Sequence, residues 1–260
     1  MVAIDQLFRL DGKVALVTGG YGGIGEAVSR GLAQAGAQVA IAGHNGARAS
    51  ALAEALNAEG HRAWSSAFEA TSVSETQRTI DSVAAHFGRL DILVNCIGLN
   101  REERAEDVTE EIFDFVYSVN LKSAMFQAQA AARHMIQQGT GGKQVHLASV
   151  RSSLALRGRG YAAYCAAKGG LMTLCKQLAA EWAPHGITVN SVAPTFIRTE
   201  QVGKMLADPA FYAELVARIP LGRIGEPEEI MSAVLFLVSP AASFITGHML
   251  AVDGGLTVTQ

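Results

Sequence analysis

Short apolar runs alternate with long helix-like stretches over nearly the whole chain, and few folds satisfy that order. Val14-Ala-Leu-Val17, Val39-Ala-Ile-Ala42, residues 62–68, Leu90-Asp-Ile-Leu-Val94, Gln144-Val-His-Leu-Ala148, Thr188-Val-Asn-Ser-Val192 and Met249-Leu-Ala-Val252 have strand composition. Helical pattern is expected over 24–35, 48–59, 110–137, 161–182 and 227–239. A further helix is expected where Ser74-Glu-Thr-Gln77, with capping-box spacing, leads toward Phe87. The strand runs are apolar without alternation, the pattern of strands buried on both faces. Strictly alternating strands and helices predict an α/β fold, a parallel β-sheet flanked by helices on both faces. No repeat, linker or low-complexity segment breaks the chain, so residues 1–260 are expected to form a single domain. The least regular stretch, about 195–223, is too long for an ordinary connection and is expected to be a flexible substrate flap.

Charge and composition exclude several functions. A net charge of -3 gives no electrostatic case for a nucleic-acid partner. No Lys/Arg cluster suits a membrane surface, and no apolar run approaches the ~20 residues that span a bilayer. The first residues lack a basic region followed by an apolar one, so no signal peptide is expected. Cys96, Cys165 and Cys175 are irregularly spaced, which argues against a disulfide framework and for a reducing, cytoplasmic setting. No His-x-x-x-His or Cys-x-x-Cys pair exists, and no metal is expected.

Thr18-Gly19-Gly20-Tyr21-Gly22-Gly23-Ile24-Gly25 follows the first strand and opens the first helix. Glycines at this point allow a tight turn and a close approach of backbone to a pyrophosphate, and the helix N-terminus offers free N–H groups. A second constellation lies far along the chain. Tyr164 and Lys168 are four residues apart and share a helix face. At ~4 Å and an effective dielectric of ~20, an ammonium and a phenolate attract by about 4 kcal/mol. Such a contact is expected to draw the phenol from ~10 toward neutrality and make it a general acid/base.

The Gly19, Gly23, Gly25 spacing, the Tyr164/Lys168 pair and their separation together resemble the short-chain dehydrogenase/reductase family, over about Leu10 to Gly255. The resemblance implies a Rossmann-type doubly wound fold and hydride transfer between a nicotinamide and a carbonyl or alcohol carbon. By the same resemblance Asn120 holds a water in a proton relay and Ser149 hydrogen-bonds the substrate oxygen, with Ser152 as the fallback. Tyr164 exchanges the proton, and Lys168 bonds the nicotinamide ribose. Tyr161 lacks a lysine four residues on. Cofactor contacts are implied at Gly19, Tyr21, Gly22, Gly23, Ile24, Gly25, Gly43, His44, Asn45, Glu69, Ala70, Asn95, Gly98, Pro194, Thr195, Ile197 and Thr199. Cys96-Ile97 and Thr195 depart from the family's usual Asn-Ala and Gly.

No carboxylate stands at the end of the second strand, Ile41-Ala42-Gly43-His44-Asn45. A 2′-phosphate is therefore admissible, attracted by His44 or Arg48, and NADP(H) is favoured over NAD(H). His44 stacking on adenine or facing solvent is the other reading. Arg101, Arg104 and Arg151 are candidate anion clamps. The expected substrate is a small polar hydroxy or keto compound such as a sugar acid. A 3-oxoacyl thioester reductase is the alternative enzyme, and a non-catalytic cofactor-binding regulator the alternative outside enzymes. The family resemblance implies a homotetramer.

Overall fold

The computed structural model describes residues 3–259. Seven strands form one parallel sheet: β1 (Val14–Thr18), β2 (Gln38–Gly43), β3 (Ala63–Ala67), β4 (Ile92–Asn95), β5 (Gly142–Leu147), β6 (Ile187–Pro194) and β7 (Met249–Val252). Their order is β3-β2-β1-β4-β5-β6-β7. The order reverses between β1 and β4, and at such a switch point the carboxyl ends of the strands open a crevice. Registers Thr18↔Ala42, Thr18↔Asn95 and Asn95↔His146 bring those ends level.

Helices cover both faces, as the alternation predicted. α1 (Ile24–Gln34), α2 (Gly46–Ala58) and α9 (Pro227–Val238) pack on one face through Val28, Leu32, Leu56 and Val234. α3 (Val73–Phe87), α5 (Ser123–Gln138) and α6 (Ala162–Trp182) pack on the other through Ile80, Ala128, Met135 and Leu171. β1 is buried along its whole length, whereas the edge strands β3 and β7 are largely half-exposed. A sheet closed on both faces in this way is the doubly wound Rossmann arrangement.

Three expectations need correction. The helix expected over 110–137 is α4 (Glu110–Tyr117), a π turn over Ser118–Lys122, and then α5. The Ser123 N–H bonds the Ser118 carbonyl, and the Ser123 hydroxyl takes the Val119 carbonyl at 2.7 Å. A side chain thus replaces the bond that the wider turn gives up. The Ser74 capping box is out of register by two residues. Ser72 is the cap of α3, accepting the Glu75 N–H at 3.3 Å, and Ser74 Oγ merely meets Ser72 Oγ. The segment 195–223 is not irregular: it holds α7 (Glu200–Leu206) and α8 (Pro209–Ala217). Leu215, Ile219 and Ile224 give it a small apolar cluster shared with Val150. Its two ends are pinched together, since Ile197 pairs with Gly225 and Arg198 N–H bonds the Gly225 carbonyl at 2.9 Å.

Candidate active site

The glycine loop is folded as its composition demands. Gly19 and Gly23 have φ of +69° and +44°, conformations that L side chains rarely adopt. A Cβ on Gly25 would meet the Gly19 carbonyl oxygen at 2.0 Å, so the loop closes on its own backbone there. Gly22 has open space where a Cβ would be, and Ile24 starts α1. These features fit a pyrophosphate at the N-terminus of α1.

Tyr21 turns back beneath the end of β2. A Cβ on Gly43 would reach its ring at 2.3 Å, so glycine at 43 makes room for an aromatic ring. The Tyr21 hydroxyl accepts the Asn45 N–H at 2.9 Å and lies 3.0 Å from His44 Nδ1. Arg48 sits over the same ring, 5.4 Å from its centroid. Glu69 accepts the Thr71 N–H and hydroxyl at 3.0 and 2.8 Å, bonds that hold its carboxyl below the usual range. Ala70 packs at the edge of the core under β2 and β3.

At the end of β4, Asn95 is buried and turned inward. Its Oδ1 accepts the Ile97 N–H at 2.9 Å and its Nδ2 faces His146. The Asn95 side chain therefore shapes the turn to Gly98 from behind. Gly98 is the meeting point: a Cβ there would lie 3.0 Å from Lys168 Nζ and 3.2 Å from Asn120 Oδ1. Asn120 Nδ2 donates to the Leu99 and Val116 carbonyls at 2.7 and 2.8 Å, while its Oδ1 is buried without a partner among the described residues. The π turn is what presents that amide.

Ser149 follows β5, its hydroxyl accepts the Arg151 N–H at 3.1 Å, and it lies near enough to Tyr164 to favour the phenolate. Ser152, the fallback, gives its hydroxyl to the Lys168 carbonyl at 2.9 Å and so fastens α6 instead. Lys168 is 2 % exposed, and its ammonium donates to the Leu147 carbonyl at 2.7 Å. Burial pushes it down to about 8, and burial pushes Tyr164 up to about 12, opposed by the nearby Ser149 hydroxyl. The expected lowering of Tyr164 toward neutrality by Lys168 is thus not present in the chain alone. The ammonium lies 5.7 Å from the ring centroid and bonds backbone, and desolvation of the phenolate outweighs attraction at that range.

The expected arginines divide sharply. Arg101 is exposed, 3.4 Å from Glu111 and stacked 3.7 Å over Phe115, and Arg104 pairs with Glu106 at 3.2 Å. Both are exposed and each already faces a carboxylate in a solvent-screened pair. Arg151 is only 5 % exposed and makes no ion pair with a carboxylate among the described residues. Its Nη1 donates to the Ala155 and Leu154 carbonyls at 2.6 and 3.4 Å. Tyr164 and Tyr161 are close enough to feel its charge. Pro194 ends β6, Ile197 is buried beneath Gly225, and the Thr199 methyl rests on the glycine loop at Gly23. Thr195 adopts no positive φ, so the missing family glycine imposes no strain.

A dinucleotide cradle at one end of a crevice and, at the other, buried Ser149 and Lys168 with half-buried Tyr164 define a dinucleotide-dependent oxidoreductase. A family model described as enoyl-(acyl carrier protein) reductase matches residues 19–257. The chain is 40% identical over 252 residues to the 2-dehydro-3-deoxy-D-gluconate 5-dehydrogenase of Escherichia coli K12, covering 97% of this chain and 98% of that one. It is 40% identical over 259 residues to the D-threitol dehydrogenase of Mycolicibacterium smegmatis, covering 99% and 97%. A crystal structure of a gluconate 5-dehydrogenase from Burkholderia cenocepacia, in complex with NADP and tartrate, superposes with a TM-score of 0.95 at 38% identity, over 99% of this chain and 100% of that one. The chain belongs to the short-chain dehydrogenase/reductase family. It is an enzyme of alcohol–carbonyl redox chemistry that works with a nicotinamide cofactor.

Proposed function

We propose that the enzyme interconverts a secondary alcohol and a ketone on a sugar acid or a similar small hydroxy acid. The buried Arg151, with no carboxylate of its own, is the observation that carries this reading. A desolvated guanidinium without a counter-ion is costly, and an anionic substrate supplies the missing partner. It is a poor neighbour for an acyl chain. The likeness to proteins named for gluconate chemistry, one of them in complex with tartrate, supports the same class.

When bound, the nicotinamide gives or takes the hydride. Gly19, Gly22, Gly23 and Gly25 cradle the pyrophosphate at α1. Ile24, Thr195, Ile197 and Thr199 flank the nicotinamide end, and Glu69 and Ala70 flank the adenine. In reduction Tyr164 passes its phenolic proton to the carbonyl oxygen while Ser149 donates a hydrogen bond to that atom. In oxidation the phenolate recovers the proton. Lys168 bonds ribose hydroxyls, and the free Oδ1 of Asn120 accepts from a water that feeds protons to the site. NADP is the preferred cofactor, because Tyr21 fills the place of an acidic residue at 43 and Arg48 and His44 stand beside it.

The segment 195–223 serves as the substrate lid of a single catalytic domain. Exposed Phe113 and Tyr117 on α4, and exposed Phe244 and Val258, support a homotetramer, to be checked by light scattering. Three free thiols accord with a cytoplasmic protein.

A panel of hydroxy and keto sugar acids and neutral polyols, run with both nicotinamides, tests the reading. Tyr164→Phe is expected to lose turnover by about 100-fold or more with cofactor binding retained. Arg151→Met is expected to raise KM for the best acid about tenfold or more and leave a neutral polyol unaffected. An unchanged KM for the acid removes Arg151 from substrate recognition.

A further inference from the structure

The segment 195–223 starts against the cofactor groove as well as beside the substrate. With the Thr199 methyl 2.7 Å from where a Gly23 Cβ would stand, the chain crosses directly over the glycine loop. One residue on, the Glu200 carboxylate reaches α2, its Oε2 3.6 Å from Arg48 Nη2. Arg48 in turn lies on Tyr21, whose hydroxyl organises His44 and Asn45. The cation beside the end of β2 therefore already has an anion, and the substrate-side segment supplies it. The pair does little for folding, since the two side chains are 53% and 88% exposed. Its position explains more than its strength.

We propose that Glu200 stands in for the adenosine 2′-phosphate: its carboxylate occupies Arg48, so that a 2′-phosphorylated dinucleotide must displace it and an unphosphorylated one need not. The proposal rests on reading residues 43–48 as the adenosine ribose end of the cofactor site. It makes Glu200 a specificity residue that acts from the lid. Because Glu200 is the first residue of α7, the phosphate that takes Arg48 also removes one tether of the lid. Linkage then requires that whatever holds the lid on Arg48 weakens NADP and leaves NAD unchanged.

Equilibrium titrations of NADP+ and NAD+, followed by tryptophan fluorescence on the substrate-free protein, separate the possibilities. Glu200→Gln is expected to tighten NADP+ by about threefold to tenfold, the loss of one competing and repelling charge at a screened site. NAD+ is expected to change by less than about twofold, and Glu200→Asp to keep most of the wild-type ratio. Arg48→Gln is expected to weaken NADP+, and in that background Glu200→Gln should lose most of its effect, keeping only the part due to direct repulsion of the phosphate. If Arg48→Gln leaves NADP+ binding unchanged, the reading of Arg48 as the phosphate's partner is wrong. If Arg48→Gln weakens NADP+ but Glu200→Gln does not tighten it, or tightens both dinucleotides equally, the role of Glu200 alone is overturned.

Discussion

Replacing Lys168 with methionine is expected to make the cofactor-free protein more stable at pH 7. The ammonium is buried, pairs with no carboxylate among the described residues and donates to the Leu147 carbonyl at 2.7 Å. Burial lowers its proton affinity, from 10.5 for an ordinary lysine to about 8. The sign follows from which state holds the proton more tightly. Above about 10.5 the lysine is neutral in both states and carries no penalty. As pH falls from there toward 8, the unfolded chain takes up the proton first, and the fold loses stability. Below 8 the loss is complete, about 3 kcal/mol. Methionine removes that penalty at similar volume but strands the Leu147 carbonyl, at about 1 kcal/mol. The net gain at pH 7 is about 2 kcal/mol, or about 4–8 °C in Tm for a chain of this size. Thermal and denaturant unfolding of both proteins, at equal concentration because association shifts Tm, should show the gap at pH 7 and its closure by about pH 10. Activity should vanish at the same time. A variant less stable than wild type at pH 7, or a gap that does not change with pH, refutes the account of Lys168 as a stored electrostatic cost.

Two further outcomes test the cofactor end. Gly43→Asp places a Cβ 2.3 Å from the Tyr21 ring, and should cost about 1–3 kcal/mol and weaken both dinucleotides in binding titrations. Combining it with Tyr21→Ser should recover stability and shift preference toward NAD. Gly25→Ala meets backbone at 2.0 Å, where nothing flexible can yield. About 3 kcal/mol of stability and most dinucleotide affinity should be lost, as calorimetry and fluorescence titration would report.

Much of this was legible in the sequence because it is local. Apolar runs, helix periodicity and the glycines of 19–25 each carry their own signal, and the strand-end register separated Ser149 from Ser152. What escaped depends on contacts between distant segments. Nothing in Gly43 announces the Tyr21 ring beneath it, and nothing in Glu200 points to Arg48. At Tyr164 the i,i+4 spacing shows the ammonium but not the desolvation that burial imposes, which outweighs it. The helix α8 is a different kind of miss. Asp208 caps it, accepting the Ala210 N–H at 3.0 Å, and Pro209 sits at its first position. That start signal is local and stands in the sequence itself.

The π turn between α4 and α5 has an evolutionary implication. One residue of surplus in a helix offsets everything beyond it by about 100° of rotation. Deleting any residue of Ser118–Lys122 would let the hydrogen bonds resume a regular ladder, yet it would swing the apolar face of α5 (Ala124, Ala128, Ala131, Met135) away from the sheet it now covers. Straightening the backbone and keeping the interior dry are incompatible here. Lineages descended from this protein cannot easily lose the kink that holds Asn120.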